Sequence, residues 1–222
     1  RDGVFSLLRG EDANKDQSYF LWTLSQEILS KTFFPVGEFQ KSRVRELAER
    51  FKLPTAQKHD SQGLCFLGKL SMKDFLSHYI EPHRGDVLDE KGEVIGFHDG
   101  AEFYTLGQRH GFTVTKNEEG SVPLYVVDKD VVANIITVAK NPAHFGEVRK
   151  FLLEKMNWIS RAPSLGESVE AQIRYRGTPE SATLQVNETC VIEFESAQPT
   201  ATSGQSVVVY KGKECLGGGI IA

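Results

Sequence analysis

"QSVVVYKGKECLGGGII", residues 205–221, is the stretch that decides what kind of core this chain builds. Its β-branched run between glycines reads as strand rather than helix. Upstream, "CVIEFE" (190–195), "SATLQV" (181–186) and "SVEAQIRYR" (168–176) repeat the texture at a spacing of roughly ten residues. Short strands at even spacing predict a small antiparallel barrel or sandwich over residues 146–222. From residue 81 to 145, briefer β-rich runs alternate with glycine turns: "GDVLDEKGEVIGFH", "LYVVDKD" and "NIITVAKN". A separate central β module is expected there. The glycine-containing "TLGQRHGF" (105–112) and "CLGGGII" (215–221) match neither a P-loop nor a dinucleotide fingerprint, and read as structural turns.

The first 80 residues have a different periodicity. "DQSYFLWTLSQEILSK" (16–31) places Phe20, Leu24 and Ile28 at i, i+4, i+8, with Asp16 as N-cap. "KSRVRELAERFK" (41–52) places Val44, Leu47, Ala48 and Phe51 on one helical face, with Ser42 as N-cap and Pro54 as the terminator. "SMKDFLSHYI" (71–80) opens with Ser71 and Asp74 in a capping-box arrangement. Three short helices do not enclose a core of their own, so residues 1–80 read as the tail of a larger domain. The opening "RDGVFSLLRGEDANKDQ" likewise reads as the interior of a longer protein.

Composition narrows the function classes. The chain has 222 residues, 40% hydrophobic and 25% charged, which are globular proportions. No run approaches the length of a membrane span, and no signal segment opens the chain. Three scattered cysteines, Cys65, Cys190 and Cys215, make neither a disulfide framework nor a metal site, which suits a reducing compartment. The net charge of −4 argues against a general nucleic-acid binder. Charge is uneven, however, with 12 Lys/Arg against 10 Asp/Glu in residues 1–80 and 14 against 20 thereafter. A polyanion partner would have to be held by local patches.

Three stretches carry candidate chemistry. In "AQKHDSQGLCFLG" (56–68), Cys65 sits between Gly63 and Gly68, downstream of Lys58 and His59. A free thiol titrates near ~8.5, and adjacent cations would raise its thiolate fraction. Flanking glycines let the segment bend toward a substrate. "LCFL" suits a packed core cysteine equally well, and local pattern leaves both readings open. "NKDQSYF" sets Lys15, Asp16 and Gln17 at a helix start, where amides attract anions, or where they merely cap. "QIRYRG" sets Tyr175 between Arg174 and Arg176, and strand alternation would place both arginines on one face. Such a face suits an RNA backbone with an unpaired base nearby, or is simply solvated. Cys190 and Cys215 fall in strand patterns and read as packing residues.

Six segments in order resemble one family, the tRNA-specific 2-thiouridylases. They are "GEDANKDQSYFLWTLSQEIL", "FPVGEFQKSRVRELAE", "KHDSQGLCFLG", "YTLGQRHGF", "YVVDKD" and "GQSVVVYKGKECLGGGII". The resemblance implies an α+β chain: the helical tail of an α/β PP-loop domain (adenine nucleotide alpha hydrolase-like, 1–80), a central β-rich domain (81–145) and a C-terminal β-barrel (146–222). It implies that Cys65, in a full match to SxGxCFxG, is the catalytic cysteine that carries a persulfide. Sulfur then replaces the C2 oxygen of a wobble uridine that ATP has adenylated, and a second cysteine completes the cycle through a disulfide. It further implies tRNA contacts at Lys15, Asp16, Gln17, Arg174, Tyr175 and Gln205. The implied partners are Lys, Glu and Gln tRNAs and a persulfide donor such as a cysteine desulfurase or sulfur-relay protein, in the cytoplasm. No metal is implied. The family's ATP signature SGGxDS and its partner cysteine are absent from this sequence, so the chain alone is expected not to adenylate uridine. Two other readings stay open: a tRNA-binding module with an inert cysteine, and a sulfur carrier that never touches RNA.

Overall fold

The computed structural model describes residues 3–58, 72–115, 122–140, 148–187, 189–198 and 201–222. The chain forms two compact units, one from Arg1–Lys58 with Glu147–Ala222 and the other from His59–Gly146.

Residues 3–58 are less helical than their periodicity suggests. A two-residue strand β1 (Leu7–Leu8) leads to a 3₁₀ turn (Ser18–Phe20), then α1 (Gln26–Ser30) and α2 (Lys41–Arg50). The single amphipathic helix expected over 16–31 is therefore replaced by two short pieces. Ser25 starts α1 afresh, its Oγ accepting from the Ile28 amide at 3.3 Å. The face assignment also changes: Phe20 and Ile28 are exposed, while Trp22 and Leu29 are buried. For α2 the N-cap is Gln40, and Ser42 lies inside the first turn. Its end precedes Pro54: Lys52 turns left-handed (φ 51°), and the Lys52 and Leu53 amides return to the Glu49 and Ala48 carbonyls at 2.9 and 2.8 Å.

The second unit holds α3 (Met72–Leu76) and a five-stranded sheet. Its strands are β2 (Gly85–Leu88), β3 (Val94–His98), β4 (Thr113–Val114), β5 (Tyr125–Asp130) and β6 (Ile135–Ala139), in the order β4-β3-β2-β6-β5. Only β2 and β6 run parallel among these pairs. Val87, Tyr104, Val126, Ile136 and Val138 form its core. Ser71, and with it the expected capping box, lies outside the described residues. "TLGQRHGF" does close a turn: the Gly107 amide donates to the Val126 carbonyl at 2.8 Å, the Val126 amide donates to the Gln108 carbonyl at 2.9 Å, and the Tyr104 hydroxyl donates to the Gly111 carbonyl at 2.5 Å.

The C-terminal strands close into an antiparallel barrel. They are β7 (Lys150–Trp158), β8 (Ser168–Gln172), β9 (Glu180–Val186), β10 (Cys190–Phe194), β11 (Ser206–Lys211) and β12 (Glu214–Ile221). The order β12-β11-β8-β9-β10-β7 returns to β12, which removes the sheet edges. "CLGGGII" is thus strand rather than turn. Strand β11 explains the continuous apolar run of "SVVVY" (206–210). Val207 and Val209 point into the barrel core with Leu184, Ile192 and Phe194. Val208 and Tyr210 point outward, yet they are equally buried, under Leu7, Trp22 and Leu29. The glycines of β12 admit this cover. A Cβ on Gly218 would sit 3.1 Å from the Trp22 ring and 2.5 Å from the Val207 carbonyl oxygen. The outer edge of β12 is shared, Cys215 and Glu214 pairing with β1 while Gly217–Ile221 pair with β7.

Candidate nucleic-acid interface

Three segments far apart in sequence meet on the covered side of the barrel. The first is the loop leading into the 3₁₀ turn. Asp16 organises it: Oδ1 accepts from the Gly10 and Ser18 amides, each at 3.0 Å, and Oδ2 accepts from the Ser18 hydroxyl at 2.9 Å. The N-cap of the 3₁₀ turn is Gln17, with no side-chain capping bond, and not Asp16 as expected; Asp16, one residue earlier, accepts from the first amide of the turn. Lys15 and Gln17, on either side, are exposed. Ser18 is buried, and its Oγ lies 3.2 Å from the Tyr210 hydroxyl of β11. The Arg9 guanidinium covers the Tyr210 ring at 3.5 Å. Asp16, Ser18, Tyr210 and Arg9 thus tie the loop to the barrel wall.

The second segment follows β8. Sequence alternation put Arg174, Tyr175 and Arg176 on a strand, but β8 ends at Gln172. Residues 174–177 form a turn closed by the Gly177 amide on the Arg174 carbonyl at 2.8 Å, with Arg176 left-handed at φ 61°. The two arginines therefore do not share a strand face. Both are exposed, and Tyr175 between them is half-buried. An Arg176 terminal nitrogen donates to the Asn14 carbonyl at 3.1 Å, which brings this turn against the Lys15 loop.

The third segment is the start of β11. Gln205 takes the Thr202 amide on its Oε1 at 2.9 Å, and its own carbonyl receives the Ile221 amide at 2.8 Å. Its neighbour Ser206 joins it to the rest. The Tyr19 hydroxyl shares its one proton between the Ser206 carbonyl (3.0 Å) and the Ile173 carbonyl (2.7 Å). Burial pushes this phenol up to about 12, against a smaller opposing effect of the Arg174 charge, so it stays protonated and keeps donating.

Tyr19 also anchors a ring cluster that sequence reasoning missed. Its ring meets Phe20 edge-on at 5.5 Å and Tyr175 at 6.4 Å, and Phe20 meets Tyr175 at 4.6 Å. The Arg176 guanidinium lies 5.2 Å from the Tyr175 ring. Within one unit, then, the structure brings together five of the seven residues singled out from sequence (Lys15, Gln17, Arg174, Tyr175 and Gln205), with Asp16 behind them as their support. The local signal available was "SYF" directly after "KDQ"; helical periodicity hid it by sending Phe20 to the core.

Cys65 lies outside the described residues. Cys190 and Cys215 are free and buried in β10 and β12. Burial pushes the Cys215 thiol up to about 12 and raises Cys190 as well, so neither offers a thiolate near neutral pH. Among the described residues no cluster of metal-ligating side chains occurs, and no helix is long and apolar enough to cross a membrane.

Three family models match the chain in succession. They are the tRNA methyl transferase HUP domain over residues 1–69, the tRNA methyl transferase PRC-barrel domain over 73–140 and the aminomethyltransferase beta-barrel domain over 148–221. This order, a HUP-domain match followed by two β-domain matches, defines a class of proteins whose family models are named for tRNA modification. Within that class, the chain is similar to proteins named tRNA-specific 2-thiouridylase MnmA from Klebsiella pneumoniae (45% identical), Shigella dysenteriae (44%) and Escherichia coli (43%), each over 225 residues and 99% of this chain. The chain belongs to the tRNA-specific 2-thiouridylase family. It spans 61% of the length of these relatives.

Proposed function

We propose that these 222 residues are the tRNA-binding and persulfide-bearing portion of a tRNA 2-thiouridylase. The observation that carries the reading is the convergence of Lys15–Gln17, Arg174–Arg176 and Gln205 around one aromatic cluster. Cations beside an exposed ring suit a single-stranded RNA loop, whose phosphates need charge and whose unpaired bases need a stacking surface. A net-acidic chain can bind RNA in this way because the contacts are few and local. Asp16 acts as a positioning residue in this reading, since its carboxylate faces protein amides. Residues 1–80 are then the tail of a PP-loop domain.

Cys65 supplies the sulfur chemistry. Its thiolate attacks the terminal sulfur of a donor persulfide, the donor thiolate departs, and Cys65 is left as a persulfide. That terminal sulfur next attacks C2 of the activated wobble uridine as the C2–O bond breaks and the oxygen departs with AMP, which leaves Cys65 joined to the base through an S–S bond. A second cysteine thiolate then attacks the Cys65 Sγ, the S–S bond breaks, the outer sulfur stays on C2 as the thiocarbonyl, and the two cysteines form a disulfide that cellular reductant reopens. Neither this second cysteine nor a phosphate loop for ATP fits residues of this chain: SGGxDS is absent, and Cys190 and Cys215 are sealed in strands. Uridine activation therefore belongs to residues beyond these 222. Lys, Glu and Gln tRNAs are the proposed substrates, in the cytoplasm, with a cysteine desulfurase or relay protein as donor.

Two measurements on this chain test the reading. Binding to a tRNA anticodon stem-loop is titrated against salt, and Arg174→Ala should weaken it while flattening the log–log salt slope by about 0.7 to 1, the share of one phosphate contact. An unchanged slope removes Arg174 from the interface. Incubation with cysteine and a cysteine desulfurase should add the mass of one sulfur atom, lost in Cys65→Ser. RNA binding without the adduct would favour the binding module with an inert cysteine; the adduct without RNA binding would favour the sulfur carrier.

A further inference from the structure

The geometry points to Phe20, rather than Tyr175, as the residue that stacks an unpaired RNA base at this interface; the inference rests on the tRNA-binding reading above. Tyr175 is half-buried, and its ring already packs with Phe20, Tyr19 and the Arg176 guanidinium. Phe20 is the member of the cluster that faces solvent, 56% exposed. Single exposed apolar residues are ordinary on protein surfaces. Phe20 differs in how firmly it is held. Its amide bonds the Gln17 carbonyl at 3.0 Å within the 3₁₀ turn, and Asp16 fixes the start of that turn. Its ring leans at 45° on Tyr175 and edge-on against Tyr19, whose hydroxyl is held by two backbone carbonyls of the barrel. The ring is thus pre-set, so a base that stacks on it loses little further protein entropy. Lys15 and Gln17 precede it on the same loop, and Arg174 and Arg176 flank its Tyr175 support. Charge for the sugar-phosphate chain therefore adjoins an open aromatic face. That combination takes a nucleobase of a single-stranded segment, and it is tolerant of base identity because every base has a π-face.

The test uses this chain with a fluorescent anticodon stem-loop RNA, and with the same RNA carrying abasic loop nucleotides. Phe20→Leu should lower affinity about 5- to 140-fold, the equivalent of about 1–3 kcal/mol per stacked base. The salt slope should stay unchanged, because no charge is lost. Phe20→Trp should bind at least as tightly as the parent chain. The abasic RNA should lose a similar factor against the parent chain and show no further loss against Phe20→Leu, which excludes a folding artefact. Parent-like affinity in Phe20→Leu, alongside weakened Arg174→Ala, overturns the stacking role and leaves the RNA interface standing. No RNA binding by the parent chain overturns both.

Discussion

Asp16 shows how a residue of the proposed RNA interface can matter through the protein groups it holds. Three donors converge on its carboxylate, the Gly10 and Ser18 amides and the Ser18 hydroxyl, while its neighbours Lys15 and Gln17 are exposed. Asp16→Ala leaves those donors without their acceptor. By analogy with lost helix caps, the expected cost is about 0.5–2 kcal/mol, read from urea unfolding. RNA affinity should fall too, although the change removes a negative charge from an anion-binding surface. A rise in affinity would show instead that Asp16 merely repels phosphate. "KDQ" was legible from sequence as a candidate, but the inward turn of the Asp16 carboxylate was not. Carboxylate direction depends on Gly10, six residues upstream, and on Ser18, which the barrel wall holds in place.

At the scale of single elements, β3 ends in an unusual residue. His98 is 1% exposed, and its Nδ1 accepts the Gly100 amide at 3.0 Å. That bond assigns the proton of the neutral ring to Nε2, which is buried with no partner among the described residues. Burial lowers its pKa below 6.5, outweighing the raising effects of the Asp86 and Asn134 backbones and of the Asp86 and Asp99 charges. The unfolded chain therefore takes up a proton first as pH falls. Stability from this group is complete above about pH 6.5 and declines below it until the folded-state pKa is passed. Far-UV thermal melts from pH 7.5 down to 5 should show a falling midpoint, and His98→Gln should make the fall shallower. Equal slopes in both proteins would remove His98 from the acid response. Sequence placed His98 in a β-rich run, but nothing local marked it as sealed. The sealing comes from the Asn134 turn and the Tyr104 ring, 36 and 6 residues away in sequence.

At the scale of the molecule, the first 58 residues belong with the last 76 as one compact unit. Leu7, Trp22 and Leu29 cover the outer side of β11 and β12, so the barrel is buried on both faces there. The two tryptophans of the chain report this arrangement separately: Trp22 sits in the cover, whereas Trp158 packs against the barrel core. Urea titrations of the single-tryptophan variants Trp158→Phe and Trp22→Phe should give coincident fluorescence midpoints. An earlier transition for Trp22 would mean that the cover peels off a barrel that stands without it.

The sequence by itself determined the strands and their kind of core. Strand-like runs at short spacing were enough for a C-terminal barrel or sandwich, the closure of β12 on β7 making it a barrel, and "SVVVY" stayed apolar throughout because both its faces are buried. It also carried the family motifs, including the one around Cys65. Tertiary structure decided what lies on the outer face of that barrel, where the helix over residues 16–31 breaks, and that "RYR" turns instead of extending. Those outcomes depend on Trp22 meeting Gly218, Tyr19 reaching Ile173 and Ser206, and Tyr175 meeting Phe20. Each pair is more than 150 residues apart, and local periodicity carries no information about contacts at that separation.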